Sequence, residues 1–225
     1  MKAEEVIAKF KAAGALLEGH FVLSSGLHST KYLQCALVLQ YPKEAEVFGR
    51  AIAEHFKDQS IQLVASPAIG GLIIGHEVAR ALGARFLWTE RVSGVMTLRR
   101  GFSVEPAERT LVVEDVVTTG GSTRETIEAL RAAGAKVIAA ASIIDRSSGK
   151  ADVGVSRIAL ALLDVPSVEP SACEACARGE AATKPGSRKV VSSQLRSSQW
   201  ADRLLVIRMR KLTHKLLRLC RRTVR

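Results

Sequence analysis

Apolar residues at Val6, Phe10, Ala13 and Leu17 recur at helical spacing, which predicts a first helix over residues 3–14 ended by Gly14. The runs at 21–23 and 32–39 predict two short strands joined by the turn Ser24-Ser25-Gly26-Leu27-His28-Ser29. Pro42 marks the start of a helix over 43–56. Beyond it, short apolar runs alternate with helical segments. Strands are expected at 61–66, 86–89, 110–114, 137–144 and 158–163, and helices at 72–82 and 122–133. That alternation predicts an α/β fold, a parallel sheet with helices on both faces.

Such a sheet binds ligands in the crevice outside the carboxyl ends of its strands, so the chemistry is sought in the loops that follow each run. They are Pro67-Ala68-Ile69-Gly70-Gly71, the stretch 90–109, the stretch 115–121, and Asp145-Arg146-Ser147-Ser148-Gly149. Residues 90–109 carry Arg91, Arg99, Arg100 and Arg109, with Gly94 and Gly101 as hinges, and read as one long mobile basic loop.

The most informative segment is Leu111-Val112-Val113-Glu114-Asp115-Val116-Val117-Thr118-Thr119-Gly120-Gly121-Ser122-Thr123. A buried strand ends in two carboxylates and turns through glycines into a helix. The glycines let backbone N–H groups converge on an anion, and the helix start adds its positive dipole end. Hydroxyls from Thr118, Thr119, Ser122 and Thr123 add donors. The lysine of a nucleoside-triphosphate loop and the three-glycine spacing of a dinucleotide fingerprint are both missing. Adjacent carboxylates would repel a bare phosphate, so the expected ligand carries hydrogen-bond donors near its phosphate. A ribose 5-phosphate has that layout, its hydroxyls donating to Glu114 and Asp115.

Composition narrows the class. The chain has 225 residues, 47% hydrophobic, which excludes a disordered protein, and its apolar runs are too short to span a bilayer. The N-terminus shows no signal-peptide core, so a cytoplasmic protein is expected. The net charge of +11 is uneven: residues 1–189 carry +2 and residues 190–225 carry +9. We therefore expect a domain over 1–189 and a basic C-terminal extension over 190–225 outside the catalytic core. Nucleic-acid or anionic-membrane contact is expected through that extension alone. Trp200, Leu204, Ile207, Leu212, Leu216 and Leu219 suggest an apolar stripe on it. Cys35, Cys173, Cys176 and Cys220 lack the spacing of a disulfide scaffold. Cys173-x-x-Cys176 supplies half of a zinc site, but no second pair follows at zinc-finger spacing, and it reads as a surface turn.

The acidic-pair loop resembles the phosphoribosyl-pyrophosphate signature of the type I phosphoribosyltransferases, and residues 1–189 resemble the orotate branch of that family. Supporting stretches are Gly19-His20-Phe21-Val22-Leu23-Ser24-Ser25-Gly26, Ser66-Pro67-Ala68-Ile69-Gly70-Gly71, Asp145-Arg146-Ser147-Ser148-Gly149, Cys173-Glu174-Ala175-Cys176 and Lys184-Pro185-Gly186-Ser187-Arg188. The resemblance implies transfer of phosphoribose from 5-phosphoribosyl 1-pyrophosphate to N1 of orotate, a step of pyrimidine biosynthesis. It also implies a small N-terminal hood ahead of the sheet, Mg²⁺ held mainly by the substrate pyrophosphate rather than by protein side chains, and homodimers that lend mobile loops across their interface. Carried over by residue, Glu114 and Asp115 would hold the ribose hydroxyls as catalytic groups. Val116, Val117, Thr118, Thr119, Gly120, Gly121 and Ser122 would line the donor site together with Arg91, and Thr118 and Arg146 would hold orotate. The best-known branch has lysines at the positions of Ser24 and Gly70 and a Lys/His-rich loop; residues 90–109 contain neither type, so Arg99 and Arg100 are the candidates for the catalytic charge. Two alternatives stay open: a purine-type phosphoribosyltransferase, and a non-catalytic RNA-binding regulator on the same scaffold.

Overall fold

The computed structural model describes residues 1–23 and 26–184. The expectations for Ser24, for the Pro185-Gly186-Ser187-Arg188 stretch and for the extension 190–225 lie outside the described residues.

Helix α1 (Ala3–Ala12) carries Glu4 and Glu5 in its first turn and buries Val6 and Phe10 completely. Leu17, spaced as if on the same helix, instead belongs to strand β1 (Leu16–Val22), because Gly14 at φ +64° turns the chain out of the helix. Strand β2 (His28–Leu33) pairs with it antiparallel. The expected strand over 32–39 stops at Leu33, and helix α2 (Ala36–Leu39) follows. An apolar run of that length fits a strand or a buried helical turn equally well, and Cys35, already in helical conformation, decides for the turn. Helix α3 (Pro42–Glu54) starts on its proline as expected and packs Phe48 on Phe10 of α1 at 5.8 Å between ring centroids.

The main sheet contains β3 (Leu63–Pro67), β4 (Arg85–Val92), β5 (Val95–Leu98), β6 (Arg109–Val117), β7 (Lys136–Asp145) and β8 (Arg157–Leu162), in the order β5-β4-β3-β6-β7-β8. All are parallel except β5. Helix α4 (Gly71–Leu82) joins β3 to β4, and α5 (Gly121–Ala132) joins β6 to β7.

The period-2 alternation of the strands divides the core. Val64, Leu111, Val113, Ala139 and Ala141 pack with α1, α3 and α4 on one face; Leu63, Ala65, Val112 and Ala140 pack with Ile127 and Leu130 of α5 on the other. Leu111, Val112 and Val113 are fully buried, and each contributes about 1.5–3 kcal/mol of transfer free energy, so residue parity along β6 is strongly specified.

The stretch 90–109 is not one long loop. Strand β4 continues to Val92, turns at Ser93 and Gly94, both at positive φ, and returns as β5, leaving only 99–108 irregular. Two positive-φ residues match the right-handed twist of a two-residue hairpin, which explains why Gly94 acts as a turn and not as a hinge. Phe102 of the irregular part stacks edge-on against Trp88 at 4.7 Å.

The hood is a second, three-stranded sheet in the order β1-β2-β9, where β9 (Ser167–Val168) comes from the far end of the described chain. After it, α6 (Glu174–Ala177) leads to Thr183, which exchanges backbone hydrogen bonds with His20 and Val22 of β1. The hood thus joins the two ends of the described residues. Among the described residues, no helix is long and apolar enough to cross a membrane.

Candidate active site

After β5 the chain returns to the other side of β3 to form β6, so the connections from β3 and β6 leave in opposite directions and the sheet has its switch point between them. The pairing of these strands ends at Ala65–Val112, whereas β6 stays paired with β7 out to Val117–Asp145. Past Ala65, β6 is therefore free on one edge, and its two carboxylates lie in the crevice that opens there. The loop after β3, whose Ala68–Ile69 peptide is cis, forms the opposite wall. A Cβ on Gly70 would lie 2.7 Å from Oδ1 of Asp115, so the absence of a side chain at this position gives the carboxylate its room.

The alternation of β6 sends Glu114 and Asp115 to different faces. Glu114 shares the parity of Val112 and accepts a hydrogen bond from the hydroxyl of Thr123 in the first turn of α5. Burial pushes its carboxyl up to about 7; Thr123 opposes that rise and the neighbouring Asp115 adds to it. Asp115 shares the parity of Val113, accepts from the N–H of Val116 at 2.9 Å and interacts with the thiol of Cys35 just before α2. Burial also raises Asp115, against those two hydrogen bonds. Desolvation in turn pushes the Cys35 thiol well above its ordinary value, with Asp115 adding to it. Cys35 is a site neighbour that sequence reasoning missed, because its contact with Asp115 depends on the helical turn that replaced the expected strand.

Thr118 and Thr119 are exposed, Gly120 is buried in the left-handed region at φ +78°, and Gly121 begins α5. A side chain at Gly120 would be strained by that φ and would meet Val153 Cγ1 at 2.8 Å. The loop therefore needs glycine there to deliver the first amides of α5, which a helix leaves without internal partners, toward the crevice. The sequence-expected cradle of Thr118, Thr119, Gly120, Gly121 and Ser122 is brought together, directly after Val116 and Val117.

Arg146 follows β7, and its N–H donates to the carbonyl of Val117 at 2.8 Å, which sets it beside the cradle. Its Nε is buried and has no hydrogen-bond partner, and burial pulls the guanidinium below its ordinary value. The preceding residue fixes the loop: the Asp145 carboxylate, 1% exposed, accepts from Ser147 N, Ser147 Oγ, Gly149 N and Arg157 Nη1 at 2.6–3.0 Å. Burial alone would raise Asp145, but the Ser147 and Arg157 hydrogen bonds outweigh it and hold the carboxyl below its ordinary value.

The candidate loop arginines are brought together elsewhere than on the cradle. Arg99 and Arg100 both pair with Glu90, at 3.4 and 2.7 Å, and Trp88 Nε1 donates to the same carboxylate. Arg91 pairs with Glu125 of α5 at 2.6 Å. Cys173 and Cys176 are not a bare surface turn: Cys173 is buried, and both sulfurs lie within reach of the imidazoles of His20 and His28. Cys35, Cys173 and Cys176 are free thiols.

Comparison with known proteins agrees with this geometry. Residues 37–159 match the family model described as phosphoribosyl transferase domain. The orotate phosphoribosyltransferase of Pelotomaculum thermopropionicum is 53% identical over 190 residues, which is 84% of this chain and 100% of the relative. That of Rhizorhabdus wittichii is 52% identical over 196 residues, 86% of this chain and again 100% of the relative. Among solved structures, the orotate phosphoribosyltransferase from Aeropyrum pernix superposes with a TM-score of 0.58 at 28% identity, covering 70% of this chain and 93% of that one. The sheet order, the glycine cradle behind two carboxylates and these full-length relatives agree, and the chain belongs to the phosphoribosyl transferase family, among the orotate phosphoribosyltransferases.

Proposed function

We propose that this chain catalyses transfer of phosphoribose from 5-phosphoribosyl 1-pyrophosphate to N1 of orotate, releasing pyrophosphate and forming orotidine 5′-phosphate. The observation that carries the choice of base is Arg146, whose buried Nε has no protein partner next to an anion cradle. A guanidinium edge of this kind matches a planar carboxylate, which orotate has and the purine bases lack. The cradle of Thr118 to Ser122 takes the 5-phosphate, and Glu114 and Asp115 accept from the ribose hydroxyls, close to the anomeric carbon where positive character develops as pyrophosphate leaves. Mg²⁺, a hard ion that takes oxygen ligands, suits a crevice whose protein oxygens are carboxylates, and when bound on the pyrophosphate it neutralises leaving-group charge. Turnover should require orotate, with uracil, hypoxanthine and adenine inert, and Arg146→Ala should lower kcat/KM for orotate about 100-fold. Equal turnover of hypoxanthine would move the chain to the purine-type reading.

Glu114 accepts a hydroxyl proton best as the anion, and its carboxyl is pushed up to about 7. Activity limited by this group is lost as pH falls through that value. We expect kcat/KM for phosphoribosyl pyrophosphate to fall about tenfold per pH unit below 7. In Glu114→Gln this acid limb should flatten, at a lower plateau, when the profile is measured from pH 5.5 to 8.5.

For the leaving group, Arg99 and Arg100 are the proposed source of charge and Arg91 a further donor contact; Arg99 and Arg100 would exchange Glu90 for pyrophosphate as the irregular segment closes. Replacing both Arg99 and Arg100 by alanine should lower kcat by roughly 100-fold while KM for the donor changes less than about threefold. Unchanged kcat in steady-state assays would place the charge elsewhere.

The proposed catalytic unit is residues 1–189, working as a cytoplasmic homodimer, with the extension 190–225 as the one segment suited to nucleic acid or anionic membrane. Every residue given a role lies at or before Arg146, and relatives match over their whole length within 84–86% of the chain. A chain ending at Lys189 should turn over orotate at the full-length rate and remain dimeric by light scattering. Loss of turnover in a folded truncation would assign the extension to the active assembly.

A further inference from the structure

The hood holds a second constellation that the transfer reaction does not use. His20 lies at a bulge in β1, where the register shifts between Glu18 and Phe21 and lets His20 and Phe21 both point inward. His28 opens β2, Cys173 caps α6 and Cys176 lies within it. The ligand atoms of all four side chains lie within 4.8 Å of one another. His20 Nε2 is 2.8 Å from His28 Nδ1 and 3.4 Å from Cys173 Sγ, and Cys176 Sγ is 3.2 Å from His28 Nδ1 and 3.7 Å from His20 Nε2.

Hydrogen bonds pair these four atoms only two at a time. His20 Nδ1 lies 2.9 Å from the carbonyl of Glu180, which only accepts, so that nitrogen carries the ring proton. Neutral His20 then presents a single lone pair at Nε2, and His28 Nδ1, Cys173 Sγ and Cys176 Sγ all converge on it. One lone pair takes one donor. A cation placed among the four atoms gives each lone pair the same partner, and the Glu180 carbonyl already fixes the tautomer that a ligating imidazole needs. The size also suits. Bonds of about 2.0–2.1 Å to nitrogen and 2.3 Å to sulfur give tetrahedral edges of roughly 3.3–3.8 Å, which three of the four distances approach and the fourth reaches by opening about half an ångström.

We propose that His20 Nε2, His28 Nδ1, Cys173 Sγ and Cys176 Sγ form a tetrahedral structural zinc site that clips the hood to the C-terminal segment. Two imidazoles with two thiolates favour zinc over the hard oxygen-seeking ions, and four protein ligands leave no open position for catalysis. Apart from this clip, the two segments are joined by the two-residue pairing of β2 with β9, by Ser29 Oγ donating to the carbonyl of Pro166, and by the Thr183 contacts with β1. The exposed Cys176 gives the ion its way in and out.

The full-length protein, purified without chelator or a polyhistidine tag, should contain about one zinc per chain by elemental analysis. Cys173→Ser combined with Cys176→Ser should retain less than about a tenth of that. A strong chelator should lower the wild-type Tm by about 10 °C and leave the double variant unmoved. Cobalt(II) added to chelator-stripped wild type should give the intense visible bands of a tetrahedral ion with thiolate charge transfer in the near ultraviolet, a readout that does not depend on the variant folding. The inference is overturned by wild type that holds no zinc and gives only weak octahedral cobalt bands. Equal zinc in the double variant would overturn it too. None of these readouts involves orotate turnover, so the site stands or falls separately from the proposed reaction.

Discussion

The end of β6 carries the electrostatic cost on which the rest of the site depends. Glu114 and Asp115 are drawn out of water because β6 stays paired with β7 to its tip while the Gly70 loop closes against its other edge, and a desolvated carboxylate raises its own proton affinity unless donors or cations meet it. The protein supplies less than full compensation: a hydroxyl on one face, an amide and a thiol on the other. What remains is a pair of under-satisfied acceptors close to the start of a helix, the two demands that the proposed sugar phosphate would meet together. The parity of β6, fixed by two hydrophobic cores, gives each acid its own side of the sheet.

The basic hairpin shows the opposite economy. Glu90 gathers Arg99, Arg100 and Trp88, so the positive charge near the crevice is stored on a carboxylate instead of being left to solvent. Exposed pairs of this kind are worth little individually, up to about 1 kcal/mol, so under the proposed mechanism a pyrophosphate carrying several charges would compete for the same guanidinium groups. Their weakness is what the proposed exchange requires.

Much of this was legible in the sequence where the determinants are local. The strand–glycine–helix passage from Leu111 to Thr123 carries its chemistry in consecutive residues, and the alternating apolar runs specify the parallel sheet without any knowledge of pairing. Reading failed where the deciding partner lies far along the chain or where one pattern serves two structures. Residues 36–39 are apolar enough for a strand or a buried helical turn, and the helical turn that forms is what sets Cys35 beside Asp115. The hairpin at Ser93-Gly94 was hidden because arginines between short apolar stretches look like a loop. Cys173-x-x-Cys176 lacked companions within motif distance, since His20 and His28 reach it through the strand pairing that brings β9 into one sheet with β1 and β2.

That shared sheet has a consequence for the order in which the molecule comes into being. The six-stranded core is complete once β8 has formed, but the hood waits for Ser167, Val168 and Thr183. On the ribosome, β1 and β2 are made before the central sheet and wait as a hairpin, marginal in water, while that sheet is synthesised and folds behind them. Two strands translated ahead of the sheet are thus locked after it, and the hood stays open until β9 has left the exit tunnel.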